Sequence, residues 1–284
     1  MEAYVMDAFS ARVFGGNQAG VALPERELPD ALMQQVAAEF KHSETAFVRV
    51  EEDGSVTLRY FTPAGEVELC GHATVASFAL LRQLGRIGDG DVTAHTKAGE
   101  LSVTVRGGTV WMDMAAPRLL RELGKDEWAA FYEAYGLTTA DRPEGLTPAI
   151  VSTGLADVML PVRDHDTLMR AVQNEAAVTA LSKKYDVTGV HMFCLGDGCT
   201  AYCSNYAPLY DIPEECATGT SNGALTYYLY LRGLVQPEVE NVFLQGEHMN
   251  RPSEIRSRLY EKDGAVNVRV GGSAVMSMQC EVKI

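Results

Sequence analysis

The sequence predicts an α+β protein made of two similar halves, each a set of strands wrapped around one buried central helix. Three observations point there. Short runs rich in β-branched and aromatic residues recur along the chain, as strands require. Two helical runs, 73–81 and 224–231, carry almost no charge, and a helix without a polar face has to be buried on all sides. The third is an internal resemblance at about half the chain length.

In the first half, 3–7 and 20–23 read as strands, followed by a helix over 29–40 with Leu32, Met33, Val36, Ala37 and Phe40 on one face. Strands follow at 45–50 and 55–61, then the uncharged helix, then strands at 92–96, 101–105 and 109–114. The second half yields a hairpin over 190–206 around Gly196-Asp197-Gly198 and the matching helix at 224–231. Phe61-Thr62-Pro63 and Cys70-Gly71-His72-Ala73-Thr74 before the first helix match Tyr206-Ala207-Pro208 and Cys216-Ala217-Thr218-Gly219-Thr220 before the second. Downstream, Gly99-Glu100 and Gly107-Gly108 are answered by Gly246-Glu247 and Asp263-Gly264. One match is chance; several in the same order indicate duplication. The strands of the first half run out near Ala116-Pro117, which divides the chain into 1–117 and 118–272.

Composition excludes several classes of function. The net charge is −14 from 24 basic and 38 acidic residues, with no dense basic run, so nucleic acid and anionic membrane surfaces are poor partners. No apolar stretch is long enough to span a bilayer. The opening residues include Glu2 and Asp7 and no basic signal region, so a cytoplasmic location is expected. Six cysteines in a reducing compartment are expected to be free thiols, Cys194, Cys199 and Cys203 among them as structural residues rather than a zinc site, and no metal is expected. No Walker-type or Rossmann glycine pattern, Gly-x-Ser-x-Gly elbow or His-Glu-x-x-His helix occurs, and no cofactor is expected. Tyr227, Tyr228 and Tyr230 read as core and contact residues.

Each buried helix exposes the backbone amides of its first turn, at the positive end of its dipole. Small and hydroxyl residues at Gly71-His72-Ala73-Thr74 and Ala217-Thr218-Gly219-Thr220-Ser221 let a ligand approach those amides. Two such ends in one cleft suit a carboxylate, with no metal or nucleotide required.

The chain resembles the PhzF-like (phenazine-biosynthesis) family, which shares the diaminopimelate epimerase fold. The resemblance rests on Asp7-Ala8-Phe9 with Phe14-Gly15-Gly16-Asn17, Ser43-Glu44-Thr45-Ala46-Phe47, Arg59-Tyr60-Phe61-Thr62-Pro63, Glu66-Val67-Glu68-Leu69-Cys70-Gly71-His72-Ala73-Thr74 and Ala217-Thr218-Gly219-Thr220, in the family's order over most of the chain. It implies two pseudo-symmetric halves, each a β-barrel wrapped around a central α-helix, and a homodimer. It also implies a last strand, about 275–282, that returns residues 273–284 to the first half. The implied activity is a cofactor-independent isomerase moving a proton between carbons of a small carboxylate-bearing metabolite.

By position, Glu44 matches the family's catalytic acid/base and His72 a residue that holds and polarises the substrate. Glu44 enters an apolar strand, where desolvation is expected to raise its pKa toward a range suited to proton exchange. Ser43, Gly71, Ala73, Gly219 and Thr220 match the substrate pocket, and Asn17 sits in a Gly-rich turn, as a turn residue or a ligand contact. Glu215 stands where the family often has Asp, keeping the carboxylate on a longer arm, and Cys216 stands where it has Pro.

Cys70 and Cys216 also fall where diaminopimelate epimerases and proline racemases place two catalytic thiols. A two-cysteine amino-acid epimerase is therefore the alternative, helix N-termini being where thiol pKa values fall. A non-catalytic metabolite-binding protein is the second.

Overall fold

The computed structural model describes residues 1–262 and 264–284; Asp263, in the expected turn at Asp263-Gly264, lies outside them. The chain forms two compact units, Met1–Asp113 with Gly271–Ile284, and Met114–Val270. The division falls a few residues from the expected one: Met114, Ala115, Ala116 and Pro117 belong to the second unit, where the Met114 amide donates to the Val268 carbonyl (2.9 Å).

The first unit contains β1 (Glu2–Ala8), β2 (Asn17–Leu23), α1 (Asp30–Phe40), β3 (Thr45–Val50), β4 (Val56–Phe61), β5 (Glu66–Val67), α2 (Gly71–Gln83), β6 (Gly90–Thr96), β7 (Gly99–Arg106) and β8 (Thr109–Asp113). The last strand, Ala274–Glu281, pairs antiparallel with β1, so the C-terminus does return to this unit. From it the order runs β1, β2, β3, β4, β6, β7, β8, with β2–β3 and β4–β6 parallel and the other pairs antiparallel. Helix α2 packs against both the last strand and β8, the two ends of that order, which requires the sheet to curl around it. Its residues from His72 to Phe78 are buried without a break, as its lack of a charged face demands. Helix α1 lies outside, burying Met33, Val36 and Ala37 against Ala3, Ala22, Phe47 and Phe61.

The second unit contains β9 (Arg118–Glu122), α3 (Lys125–Glu133), β10 (Ala149–Ser152), β11 (Ala156–Pro161), α4 (His165–Met169), α5 (Glu175–Tyr185), β12 (Gly189–Leu195), β13 (Ala201–Ala207), β14 (Ile212–Glu215), α6 (Gly219–Leu231), β15 (Glu240–Gln245), β16 (Ser253–Lys262) and β17 (Ala265–Gly272), whose last two residues count with the first unit. The order β9, β10, β11, β12, β13, β15, β16 repeats the first unit's pattern strand for strand, with β11–β12 and β13–β15 parallel. Strand β9 flanks β10 as the last strand flanks β1. Helix α6 takes the place of α2, touching β9, β10, β11 and β16. Both halves therefore have the predicted architecture, and duplication is written in the pairing order as well as in the motifs.

Helix α6 begins at Gly219, five positions before the expected 224. That start falls inside the expected first turn, Ala217-Thr218-Gly219-Thr220-Ser221, where Asn222 Nδ2 donates to the Thr218 carbonyl (2.9 Å) and Thr226 Oγ1 to the Asn222 carbonyl (2.7 Å). A Cβ at Gly223 would sit 3.1 Å from Thr153 Oγ1 and 3.2 Å from a Val270 methyl, so glycine lets the helix pack closely there. Residues 118–189, where the sequence assigns no elements, hold β9 to β11 and three helices around Phe131, Tyr132, Tyr135, Val158 and Met192. Among the described residues no helix is long and apolar enough to cross a membrane.

Candidate active site

Helix α1 ends on Lys41 in the left-handed conformation (φ 57°), its amide bonded to the Ala37 carbonyl. That reversal delivers Ser43 and Glu44 to the start of β3, where the Glu44 carbonyl accepts from the Gly20 amide (3.1 Å). The approach is tight: a Cβ at Gly20 would lie 2.7 Å from Thr45 Oγ1 and 2.8 Å from the Phe40 ring. Asn17 begins β2, three residues before Gly20 and at the same end of the parallel β2–β3 pair; it is buried.

The start of α2 supplies the other groups. Cys70 is its extended N-cap, and Thr74 ties the first turn down by donating to the Cys70 carbonyl (2.7 Å) while bonding the buried Tyr60 hydroxyl (2.6 Å). This sets His72 Nε2 3.2 Å from Glu44 Oε2 and 3.4 Å from Ser43 Oγ. The Cys70 sulfur lies 3.4 Å from His72 Nδ1 and 3.8 Å from Nε2. Gly71 stays partly open, with only a Met112 methyl 3.6 Å from where its Cβ would be. Ala73 is different from expectation. It is fully buried, and its amide is directed at the Cys70 sulfur, so it supports the cluster from inside rather than meeting a ligand.

The electrostatics also depart from expectation. Burial pushes the Glu44 carboxyl up, as anticipated, but His72, with Ser43 and Cys70, more than offsets this and holds it below the ordinary glutamate value. Burial disfavours a charged His72 ring, yet the Cys70 sulfur and the Glu44 carboxylate raise its pKa well above that of an ordinary histidine. The Cys70 thiol is raised, chiefly by burial and against the pull of His72. An ionised Glu44 carboxylate favours protonation of the His72 ring it faces, while burial disfavours a Cys70 thiolate.

The start of α6 is a separate polar network. The Glu215 carboxylate accepts from Thr218 Oγ1 (2.6 Å), and Gln245 Nε2 donates to the Glu215 carbonyl (2.7 Å) and to Thr218 Oγ1 (3.1 Å). Asn222 Nδ2 donates to Gln245 Oε1 (2.8 Å), and Thr153 Oγ1 to the Thr220 carbonyl (2.8 Å). Ser221 donates to Asp157 (2.6 Å), whose carboxyl is raised by burial. Gly219 and Thr220 remain partly exposed. Sequence reasoning missed Thr218, Asn222 and Gln245 as the residues that hold Glu215; their one signal is amide and hydroxyl side chains beside glycines.

The two cysteines are not equivalent in their helices. The first intrahelical acceptor is the Cys70 carbonyl in α2 but the Thr218 carbonyl in α6. Cys216 lies two residues earlier, buried, with its backbone and Cβ against Gly246. Cys194 and Cys203 are buried free thiols on the β12–β13 hairpin. Among the described residues, Glu44, Cys70 and His72 also cluster, but with the sulfur beside His72 Nδ1 and Glu44 at Nε2 one ion cannot take all three.

The model of the PhzC-PhzF family, described as phenazine biosynthesis-like protein, matches residues 6–280. The chain belongs to this family. This PhzC/PhzF-family chain is 31% identical over 290 residues to an "uncharacterized isomerase" of Escherichia coli K12, covering 99% of this chain and 97% of that one. A PhzF-family phenazine biosynthesis protein of Bacillus anthracis superposes with a TM-score of 0.90 at 26% identity, over 100% of this chain and 99% of that one. A probable proline racemase of Agrobacterium radiobacter, 12% identical with a TM-score of 0.63 over 100% of this chain and 93% of that one, shares the fold alone. The likeness thus joins a relative named as an isomerase to a fold that a probable proline racemase also has.

Proposed function

We propose that this chain is an isomerase that moves a proton between carbons of a small carboxylate-bearing metabolite, with Glu44 as the proton carrier. The observation that supports the reading most is the Glu44–His72 contact at the start of α2. An ionised, largely buried carboxylate accepts a proton from an activated C–H bond, and the bonding pair moves into the substrate's conjugated system. The Nε2–H of the His72 imidazolium stabilises the charge that develops there. Glu44 then returns the proton to a second carbon, so atoms and charge balance without a redox cofactor. Ser43 and Gly71 are proposed to line the pocket with Asn17.

The test is solvent-deuterium uptake by a panel of amino, hydroxy and unsaturated acids in the presence of the protein. Uptake into at least one compound, lost in Glu44→Gln, supports the proposal. Binding of such an acid with no exchange anywhere would leave a metabolite-binding protein in its place.

A further inference from the structure

We infer that His191 is a positioning residue for Glu215, holding its proton on Nε2 and so sending a one-way chain of hydrogen bonds to the Glu215 carboxylate. The consequence for activity rests on Glu215 serving the proposed isomerase; the chain of bonds does not. His191, Asn205 and Glu215 lie side by side on β12, β13 and β14. His191, Asn222 and Gln245 are each fully buried. Polar groups so placed have only one another to bond, so donors have to match acceptors along the whole cluster.

At the Glu215 end every direction is fixed. Thr218 Oγ1 donates to the carboxylate (2.6 Å) and accepts from Gln245 Nε2 (3.1 Å), which also donates to the Glu215 carbonyl (2.7 Å). Gln245 Oε1 therefore faces Asn222 and accepts from its Nδ2 (2.8 Å), and the same Nδ2 donates to the Thr218 carbonyl (2.9 Å). Flipping the Asn222 amide would set oxygen against oxygen at both places. Its Oδ1 is left over, buried and without an aligned donor, and His191 Nε2 is buried and unmatched as well. Hydrogen bonding from the Asn222 side chain acts on the His191 ring, so these two leftover atoms are each other's partners, and Nε2 has to be the donor.

Burial pushes the His191 ring down to about 4, against its bonds to Asn205 and Asn222, so at neutral pH it carries a single proton. With that proton on Nε2, Nδ1 is an acceptor, and the Asn205 amide, 3.0 Å away, presents Nδ2 to it rather than Oδ1. Among the described residues no other hydrogen bond holds the Asn205 side chain, so nothing opposes that orientation. Each proton then points from the core toward Glu215, and successive bonds polarise one another. A carboxylate supported in this way keeps one orientation at the start of α6.

The test is a long-range proton–nitrogen correlation spectrum of the isotope-labelled full chain at neutral pH, with the His191 signals identified by their loss in His191→Gln. The expected result is a neutral ring protonated on Nε2. Glutamine places an amide nitrogen the same number of bonds from Cβ as Nε2, so His191→Gln keeps the donor and leaves the Glu215 side-chain carboxyl carbon resonance in place. His191→Phe removes the donor and shifts that resonance. A ring protonated on Nδ1, a ring carrying two protons, or an unmoved Glu215 resonance in folded His191→Phe overturns the inference. If His191→Phe fails to fold, the tautomer and His191→Gln decide: a Glu215 resonance displaced in His191→Gln overturns it as well. No substrate enters this experiment, so its failure leaves the proton-transfer reading standing, while failure of the deuterium-exchange test leaves the His191 chain standing.

Discussion

Glu44 and His72 meet at 3.2 Å although they are carried by different elements, the first at the mouth of a strand and the second in the first turn of the buried helix α2. The contact reverses the electrostatics that burial alone dictates. A lone desolvated carboxyl at this position is pushed toward protonation; beside His72 it stays ionised. The proposed base is therefore ready at neutral pH, and the nearby ring is ready to receive charge.

Replacing Glu44 by Gln is expected to lower solvent exchange by about 10²–10⁴-fold, the usual contribution of a positioned acid/base. The amide keeps the side chain's size, so the fold should persist, with only the stability that the ionised Glu44 contributes at neutral pH lost from the thermal midpoint. An unfolded variant or an undiminished exchange rate would each be read directly from a melt and a deuterium assay.

The pH profile of exchange should have two limbs. Its acid limb falls below the ordinary glutamate value of 4.5, where Glu44 gains its proton, and its alkaline limb above the ordinary histidine value of 6.5, where His72 loses one. In His72→Gln the acid limb moves upward, because burial then acts on Glu44 without the imidazolium. The depressed Glu44 value also means that its contribution to stability is present above about pH 4.5 and is lost as pH falls through the folded value.

Cys216→Ser should retain exchange within a few-fold, since Cys216 lies two residues ahead of the N-cap Thr218 whereas Cys70 is itself an N-cap. Equal and complete loss in Cys70→Ser and Cys216→Ser, with exchange kept in Glu44→Gln, is the signature of the two-thiol mechanism and would reject the present one.

Asp157 supplies a stability test. Its folded-state pKa is raised by burial, so stability is lost as pH rises from the ordinary aspartate value of 3.8 through the folded value and levels off above it. Asp157→Asn keeps an acceptor for the Gly189 amide and can donate to Ser221. The variant should gain on the natural protein as denaturation midpoints are compared from acid to neutral pH.

Gly189 faces Asp157 across β11 and β12, and a Cβ there would lie 2.0 Å from the Tyr206 carbonyl oxygen. The obstacle is backbone and cannot swing aside. Gly189→Ala should therefore cost about 3 kcal/mol or more, whereas Gly198→Ala, where a Cβ meets open space, should stay within about 0.5 kcal/mol. Paired chemical denaturations measure both.

The repeat was legible because burial is local in its demands: a helix enclosed by strands cannot carry charge, and residues 73–81 and 224–231 show this without coordinates. The start of α6 was legible at Ala217-Thr218-Gly219-Thr220-Ser221, but its partners were not, because Asp157, Gln245 and Thr153 reach Ser221, Asn222 and Gly223 from distant parts of the chain. Residues 118–189 were silent although β10 and β11 form a hairpin: β9 reaches β10, and β11 reaches β12, only across intervening helices, so pattern alone did not separate strands from helices there.

By itself the sequence determined the fold class and the duplicated order of motifs, since these rest on periodicity and on residue types that steric and burial constraints fix position by position; its motifs carried the resemblance to the family. Only the tertiary structure decided the ionisation of Glu44, the withdrawal of Ala73 into the core and the inequivalence of Cys70 and Cys216. Each depends on distances between atoms that the chain order does not specify, and Coulomb and desolvation energies change steeply over those few ångströms.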